Sequence, residues 1–308
     1  MSRLNKIVLA GGSGYIGTVL CEHFKDMTDE IVILSRGAEH KKGNVRSVYW
    51  DGRTLGEWWK ELEGADVLIN LAGKNINCRH TEKNKKEILD SRVDSVKVLA
   101  EAFQQCKHKP KLWIQSASAG IYEQVRDRPM TESDGVFGVD FSAEVSKVWE
   151  NAFWEHSSHY TNTRKVILRT SLVLGAADGA FPRLKNLVRY GLGGKQGNGE
   201  QWVSWVHEKD MAGIIAWVIS HPSLEGAVNC ASPEPLKNKE FMSKIRNVMK
   251  MPFGIPSPAV VLKMGAFIIG TDAELILKSC WALPEKILKE GYVFRYPSLE
   301  EAVKEIVQ

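Results

Sequence analysis

The sequence predicts an α/β protein with a doubly wound parallel sheet and a smaller, mostly helical C-terminal lobe. Short apolar runs of strand type alternate with longer segments of helical periodicity through the first half of the chain. This alternation is typical of parallel strands whose two faces are covered by helices. The first apolar run ends in glycines and is followed at once by a helical pattern. That order of strand, turn and helix indicates the Rossmann type of doubly wound fold.

The predicted elements follow one another along the chain. Residues 7–10 form an apolar run that ends in glycines, and we predict a strand there. The segment Tyr15–Phe24 then spaces Ile16, Leu20 and Phe24 along one face of a helix. A second apolar run over residues 30–34 completes a strand–helix–strand unit. Later strands are predicted at residues 67–71, 112–114 and 166–168, and later helices at residues 82–105 and 141–156.

The character of the sequence changes after residue 175. Glycines and aromatic residues cluster at residues 191–205, and prolines concentrate at Pro252, Pro256 and Pro258. We therefore predict a first domain over residues 1–180, with its sheet completed by a strand near residues 227–230. Residues 181–308 are expected to form mainly the C-terminal lobe and a helical extension.

Composition excludes several classes of protein. The net charge of +4 arises from 41 basic and 37 acidic residues, an excess too small and too dispersed to predict nucleic-acid binding. The longest apolar stretch, residues 259–270, is interrupted by Lys263 and is shorter than the roughly 20 residues of a membrane span. Five scattered cysteines indicate neither a disulfide framework nor a metal site, and the opening residues do not resemble a secretory signal. We expect a soluble, cytoplasmic protein without a membrane partner, of undetermined oligomeric state.

The glycine turn predicts a nucleotide site. Gly11, Gly14 and Gly17 form a G-x-x-G-x-x-G pattern, with Tyr15 and Ile16 inside it, between the first strand and the first helix. The first glycine permits a tight turn, the second lets a pyrophosphate approach the backbone, and the third lets the helix pack against the strand. The helix N-terminus presents free N–H groups and a partial positive charge to the phosphates.

The end of the second strand predicts which nucleotide is preferred. An NAD-binding domain usually carries an acidic residue there to hold the ribose 2′-hydroxyl. Here the strand leads into Ser35 and Arg36, and no carboxylate occurs between Ile31 and Ala38. A hydroxyl and a guanidinium bind a 2′-phosphate, which a carboxylate would repel. The sequence therefore predicts NADP(H) as the cofactor.

Several further motifs carry a family resemblance. With the glycine turn, Asn70-Leu-Ala-Gly73 and Ser116-Ala-Ser-Ala-Gly-Ile-Tyr122 resemble the extended short-chain dehydrogenase/reductase superfamily. The chain is more closely similar to the atypical epimerase-family branch, whose members carry a C-terminal helical extension. The segments that support this branch are Tyr49-Trp-Asp51, Lys86-Glu-Ile-Leu-Asp-Ser-Arg92, Lys147-Val-Trp-Glu150, Gly197-Asn-Gly-Glu-Gln-Trp-Val-Ser-Trp-Val-His207 and Gly226-Ala-Val-Asn229.

The resemblance implies three catalytic positions and one departure. In the superfamily a Tyr-x-x-x-Lys pair transfers the proton and binds the nicotinamide ribose, and a serine polarises the substrate oxygen. Ser118 matches the serine and Lys147 the lysine, whereas Ala143 stands where the tyrosine is expected. Tyr122 is the nearest substitute acid, with packing as its alternative role. For Ser118 the alternative is a serine at the end of a strand that caps the backbone. For Lys147 the alternative is a lysine on the surface of a helix.

The resemblance also implies contacts to the cofactor. Leu71 and Ala72 would meet the adenosine half, Glu87 and Arg92 lie on the following helix, and Arg92 would reach the phosphates. Val173 would line the nicotinamide side.

Other polar and aromatic residues remain open between functional and structural roles. His207, Asp140 and Glu144 are weaker substitutes for the acid, with scaffold or capping roles as alternatives. Asn229 would be a structural or a substrate contact. Trp202 and Trp205 are interpreted either as a wall over a substrate or as an anchor between lobes.

Two functions follow from this sequence. The first is an NADP(H)-dependent oxidoreductase or epimerase that acts on a small hydroxyl- or carbonyl-bearing metabolite. The alternative, favoured by Ala143, is a non-catalytic protein that senses NADPH or NADP⁺.

Overall fold

An eight-stranded sheet forms the centre of the computed structural model, which describes residues 3–124, 127–269, 272 and 274–308. Its strand order is β11-β7-β6-β5-β1-β2-β4-β3, and every pairing is parallel except that of β3 with β4. The strands in chain order are β1 (Leu4–Ala10), β2 (Thr28–Ser35), β3 (Lys41–Lys42), β4 (Val45–Tyr49), β5 (Val67–Asn70), β6 (Leu112–Ser118), β7 (Arg164–Thr170), β8 (Leu172–Leu174), β9 (Trp202–Val203), β10 (Trp205–His207), β11 (Gly226–Cys230) and β12 (Leu236–Lys237).

Helices connect the strands and build the C-terminal part. Several begin at residues whose side chains accept a hydrogen bond from the first turn, such as Thr81, Asp140 and Ser298. The α-helices in chain order are α1 (Tyr15–Phe24), α2 (Glu82–Gln105), α3 (Phe141–Ser157), α4 (Phe181–Arg189), α5 (Glu208–Ser220), α6 (Asn238–Val248), α7 (Ala259–Ile269), α8 (Glu274–Leu277), α9 (Glu285–Lys289) and α10 (Leu299–Val307).

The sheet is buried on both faces. Helices α2 and α3 cover one face, where Phe103, Trp113 and Phe153 are completely buried. Helices α1 and α5 cover the other face, which contributes Leu20 and Ile214 to a second cluster. Strands buried on both sides explain why the sequence shows apolar runs instead of alternation. The predicted doubly wound α/β fold is confirmed.

The C-terminal part adds a third core beyond the edge of the sheet. Helices α4, α6 and α10 contribute Phe181, Phe241 and Val303 to it, and Trp205 of β10 is completely buried there. The short pairs β8–β10 and β9–β12 connect this core to the main sheet. Strand β11 returns to the main sheet beside β7. The division at residue 180 stays a prediction.

Two further features concern strands and membrane spans. Strand β4 pairs with β2 and is absent from the sequence prediction, because Arg46 and Ser47 interrupt residues 45–49 and leave no apolar run. None of the helices in the described part of the chain has the length and apolar character needed to span a bilayer.

Candidate functional site

The glycine turn between β1 and α1 has the geometry of a phosphate cradle. Gly11 has a φ of +75°, and a Cβ there would lie 2.7 Å from the Cα of Ala72. A Cβ on Gly17 would lie only 1.9 Å from the carbonyl oxygen of Gly12. A Cβ on Gly14, in contrast, would meet nothing within 4 Å. Two of the glycines are therefore required by close backbone packing, and the third leaves open space beside the helix.

Helix α1 presents its N-terminus to that open space. Gly14 is the N-cap and supplies no side-chain hydrogen bond to the first turn. The first N–H groups of a helix have no intrahelical partner, so they remain available to an anion beside Gly14. Ile16 packs into the adjacent core and fixes the helix against the sheet.

The carboxyl end of β2 lies beside this turn and carries Ser35 and Arg36. The amide of Gly11 donates a 2.8 Å hydrogen bond to the carbonyl oxygen of Leu34, which brings the two strand ends together. Ser35 is buried, Arg36 is exposed, and Lys41 on β3 is exposed as well. No carboxylate among the described residues forms an ion pair with Arg36. This corner is therefore cationic overall, with two exposed basic residues and the exposed Glu39 between them in the chain.

The loop after β5 borders the other side of the turn. Leu71 donates its amide to the carbonyl oxygen of Ala10 at 2.8 Å, and the amide of Ala72 bonds to the side chain of Asn70 at 3.0 Å. Leu71 and Ala72 thus lie beside Gly11, where the sequence predicted an adenosine contact.

The two predicted contacts on α2 have partners within the protein. Glu87 forms an ion pair with Lys74. Arg92 Nη1 donates to the carbonyl oxygens of Lys74 and Ile88, each at 3.0 Å, and its guanidinium lies over the ring of Trp149. Burial lowers the pKa of Arg92 to about 10, so it stays charged at neutral pH. The role of Arg92 toward phosphates stays a prediction.

Tyr15, the first residue of α1, links the glycine turn to α5. Its hydroxyl donates to Glu208 at the start of α5. Burial and the neighbouring Glu208 carboxylate raise the Tyr15 pKa. A Cβ on Gly175 would collide with the Tyr15 hydroxyl, so this contact requires a glycine after β8. Val173 on β8 packs into the same core.

Ser118 lies at the carboxyl end of β6, and α3, which carries Ala143 and Lys147, packs against β6 and the turn that follows it. Ser118 Oγ accepts a 3.0 Å hydrogen bond from the amide of Gly120, which caps a short turn. Lys147 is half-buried on α3, and its ammonium has no hydrogen bond or ion pair with a described residue. Ala143 is completely buried, and a Cβ on Gly138 would lie 3.2 Å from its methyl group. The alanine is therefore enclosed by protein and does not line an open cleft.

Tyr122 is held in a buried polar network. Its hydroxyl donates to Asn229 Oδ1 at 2.8 Å and accepts from Arg169 Nη1 at 2.9 Å. Arg169 also forms a bidentate ion pair with Glu150, with both bonds at 2.8 Å. Burial raises the pKa of Tyr122, against the opposing effect of Arg169. With 1% of its surface exposed, Tyr122 has the environment of a packing residue.

The structure adds a residue that the sequence reasoning missed, Lys278 after α8. Its buried ammonium donates to Asp140 Oδ1 at 2.6 Å, Ser142 Oγ at 2.6 Å and the carbonyl oxygen of Gly120 at 2.7 Å. A Cβ on Gly120 would lie 3.1 Å from Ser118 Oγ and 4.0 Å from Lys278 Nζ, so both groups flank this glycine. No local sequence signal indicates this contact, because the partners are more than 130 residues apart.

The weaker acid candidates lie in the scaffold. His207 is completely buried, caps α5, and contacts Glu305 through Nε2 at 2.8 Å. Burial lowers the His207 pKa. Asp140 caps α3, and Glu144 is exposed on the outer side of that helix.

The two tryptophans have different surroundings. Trp205 is completely buried and donates to the carbonyl oxygen of Glu234 at 2.7 Å. The ring of Trp202 stacks on Trp281, with the centroids 3.9 Å apart. Trp205 is therefore an anchor within the C-terminal core, and Trp202 joins β9 to the segment after α8.

One group of metal-ligand type lies near the start of α3. His80, Asp272 and Glu274 place one ligand atom each within 4.8 Å of one another. Ligand atoms bonded to a tetrahedral zinc ion lie roughly 3.4 Å apart. His80 Nδ1 lies 3.6 Å from Asp272 Oδ2, and exposed acidic groups of this kind are common without a metal ion.

Comparisons with known proteins agree with this architecture. Residues 7–231 match the model of the NAD dependent epimerase/dehydratase family, and residues 257–306 match a domain of unknown function, DUF1731. The chain is 32% identical to the epimerase family protein YfhF of Bacillus subtilis over 98% of its length and 97% of the relative. It is 29% identical to the mouse epimerase family protein SDR39U1, covering 98% of this chain and 99% of that protein.

A solved structure is similar over the same extent. The human epimerase family protein SDR39U1 (isoform 2), determined with NADPH, superimposes with a TM-score of 0.84 at 28% identity. The match covers 98% of this chain and 98% of that chain.

Proposed function

Because the chain belongs to the NAD dependent epimerase/dehydratase family, an epimerase branch of the extended short-chain dehydrogenase/reductases, we propose that it is an NADP(H)-dependent oxidoreductase or epimerase. Its substrate class is a small metabolite that bears a hydroxyl or carbonyl group, and its proposed location is the cytoplasm. When bound, the nicotinamide cofactor supplies or accepts a hydride.

The observation that carries the proposal is the unequal packing of the three glycines. A Cβ on Gly11 or Gly17 would collide with backbone, but one on Gly14 would meet nothing within 4 Å. A turn built only for packing has no reason to leave that space beside an uncapped helix N-terminus, whereas the free N–H groups there suit a diphosphate. The NADPH in the human relative supports the same assignment.

The cationic corner supports NADP(H) over NAD(H). Ser35 and the exposed Arg36 lie at the end of β2, and Lys41 is near. We assign the 2′-phosphate to Ser35 and Arg36, because a guanidinium binds phosphate oxygens bidentately. Leu71 and Ala72 are assigned to the adenosine half, and Val173 to the nicotinamide side.

We assign roles in catalysis to only some of the residues at the proposed catalytic positions. We propose that Ser118 orients the substrate oxygen through its hydroxyl and that Lys147, which has no described protein partner, binds the nicotinamide ribose. Ala143 cannot donate a proton. Tyr122 is assigned a structural role, because its hydroxyl is engaged by Asn229 and Arg169. General acid–base help is typically worth about 10²- to 10⁴-fold, so we expect slow turnover.

A turnover assay tests whether the protein is an enzyme. NADPH absorbance is followed across a panel of aldehydes and ketones with the wild type and with Ser118→Ala. We expect slow oxidation that depends on Ser118 but leaves NADPH affinity unchanged. Restoring a tyrosine with Ala143→Tyr is unsuitable as a test, because Ala143 is completely buried and its neighbours would have to move.

The second candidate is an NADPH or NADP⁺ sensor without turnover. The burial of Ala143 and the closed network around Tyr122 favour it, because neither position offers an acid. Absence of turnover across the panel, combined with tight NADPH binding, would establish this function in place of the enzyme.

A further inference from the structure

The C-terminal lobe carries an exposed apolar surface with a basic border, which we call the α7 face. It consists of the residues around Tyr190 and Leu192, the loop at Phe253 and Ile255, and the start of α7. Seven of its large apolar side chains are exposed, which are Tyr190 (80%), Leu192 (42%), Phe253 (59%), Ile255 (55%), Val260 (67%), Val261 (56%) and Met264 (62%). Isolated exposed apolar residues are ordinary, but a contiguous set marks a binding surface.

Backbone pairing makes these segments one surface. The amide of Ile255 donates to the carbonyl oxygen of Gly191 at 2.8 Å, and the amide of Gly194 donates back to Ile255 at 3.2 Å. Ser257 continues the pairing with Lys195, and α7 begins two residues later, at Ala259. The loop after α4 and the segment that leads into α7 therefore run side by side.

Basic residues predominate in the segments that form the α7 face. No aspartate or glutamate occurs in residues 179–199 or in residues 241–271, and the same stretches contain eight lysines and arginines, of which Lys244 forms ion pairs with Glu234 and Glu300. Among these, Arg189, Lys195, Lys250 and Lys263 are exposed. A chain with nearly balanced totals of acidic and basic residues has thus concentrated positive charge around its exposed apolar residues.

We propose that the α7 face docks on a membrane surface that contains anionic lipids. Anionic headgroups attract the lysines and arginines, while the aliphatic and aromatic side chains enter the interfacial layer. A second copy of the chain is disfavoured as the occupant, because an isologous contact would place the basic borders against each other. The surface of a bilayer also requires no matching groove, which suits a helix exposed at Val260, Val261 and Met264.

The proposal departs from the sequence-based expectation of no membrane partner. That expectation rests on the length of residues 259–270, which excludes a span but does not exclude a helix that lies on the surface. The proposal is independent of the nucleotide site.

Vesicle flotation of the full chain tests this assignment. The probes are phosphatidylcholine vesicles with and without about 30% phosphatidylserine. We expect the wild type to float with the anionic vesicles and not with the neutral ones. The triple variant Val260→Gln, Val261→Gln, Met264→Gln should lose at least nine-tenths of the bound fraction. The matched triple Leu55→Gln, Leu288→Gln, Val293→Gln changes exposed apolar residues elsewhere and should bind as the wild type does.

A second set of variants tests the charge. Each of Arg189→Gln, Lys250→Gln and Lys263→Gln should weaken partitioning on the order of fivefold. The control Lys97→Gln, at an exposed position on α2, should change nothing.

Two outcomes overturn the proposal. Failure of the wild type to float with anionic vesicles would leave an acidic protein or a second copy as the occupant of the α7 face. Equal flotation of the Val260/Val261/Met264 variant and the wild type would place any membrane contact elsewhere. Circular dichroism and thermal unfolding of each variant separate loss of docking from loss of fold.

Discussion

Lys278 Nζ lies 2.6 Å from Asp140 Oδ1, and this ion pair joins the segment after α8 to the first turn of α3. Burial opposes ionisation of Asp140, but the bonds from Lys278, Ser142 and the Ala143 amide hold its pKa at about 2. The C-terminal lobe thereby supplies a cation beside Ser118, at the start of the helix that carries Lys147. We interpret Lys278 as the group that holds the two parts of the site together.

Replacing Lys278 should lower stability in a pH-dependent way. Lys278→Met leaves Asp140 without its cation, and we expect a loss of about 1.5–3 kcal/mol in the free energy of unfolding at pH 7. The pKa of Asp140 is depressed in the folded state, so its contribution is complete above the unfolded value of about 3.9. That contribution is lost as pH falls toward 2.

Urea unfolding between pH 7 and pH 2 measures this difference. The difference between wild type and Lys278→Met should shrink below pH 4. The exposed Lys97 on α2 provides the control Lys97→Met. If the difference in the free energy of unfolding stays constant down to pH 2, the stabilisation by Lys278 does not depend on its ion pair with Asp140.

Tyr122→Phe separates packing from catalysis. The variant removes a hydroxyl that satisfies Asn229 and Arg169, so we expect a loss of about 1–3 kcal/mol in stability. NADPH affinity and any turnover should stay within a few-fold of wild type. If turnover instead falls by about 10²- to 10⁴-fold while the fold is retained, Tyr122 is the acid after all.

Lys147→Met tests the ribose assignment. The loss of a charged hydrogen-bond donor should weaken NADPH binding by about 1.5–3 kcal/mol. The thermal stability of the nucleotide-free protein should hardly change, because the ammonium has no described partner within the chain. Titration calorimetry and thermal unfolding measure the two effects, with Lys97→Met on α2 as the control. A sharp fall in stability with unchanged affinity would make Lys147 a scaffold residue.

Gly14→Ala and Gly17→Ala form a matched pair within the turn. A methyl group at Gly17 meets the carbonyl oxygen of Gly12 at 1.9 Å, so we expect a loss of about 1–3 kcal/mol in stability. A methyl group at Gly14 meets nothing within 4 Å and should cost less than about 1 kcal/mol. The methyl group at Gly14 should nevertheless weaken NADPH binding at least tenfold, about 1.4 kcal/mol, because it occupies the space assigned to the phosphates. Unchanged NADPH affinity in Gly14→Ala would show that the phosphates do not bind at this turn.

The parts of the site that sequence could predict are those encoded locally. Gly11, Gly14 and Gly17 are close in the chain, and their order after an apolar run fixes a turn whose geometry the structure shows. Ser35 and Arg36 are placed by the strand that precedes them. Periodicity likewise gave the long helices α2 and α3, because their buried faces repeat with helical spacing.

The parts that sequence could not predict depend on distant contacts. Lys278 reaches Asp140 across 138 positions, and Tyr15 reaches Glu208 across 193. Nothing in the neighbourhood of either residue indicates its partner. The closed environment of Ala143 likewise arises from tertiary packing, which is why the sequence alone does not show that a larger side chain has no room there.

The central claim, an NADP(H) site at the glycine turn with the 2′-phosphate on Ser35 and Arg36, is tested most directly by titration calorimetry. NADPH and NADH are titrated into the wild type and into Arg36→Glu under identical conditions. We predict that NADPH binds the wild type at least tenfold tighter than NADH, a difference of about 1.4 kcal/mol. Arg36→Glu should abolish or reverse that preference. Equal affinity of the wild type for the two nucleotides would contradict the 2′-phosphate assignment, and absence of binding to either would contradict the nucleotide site itself.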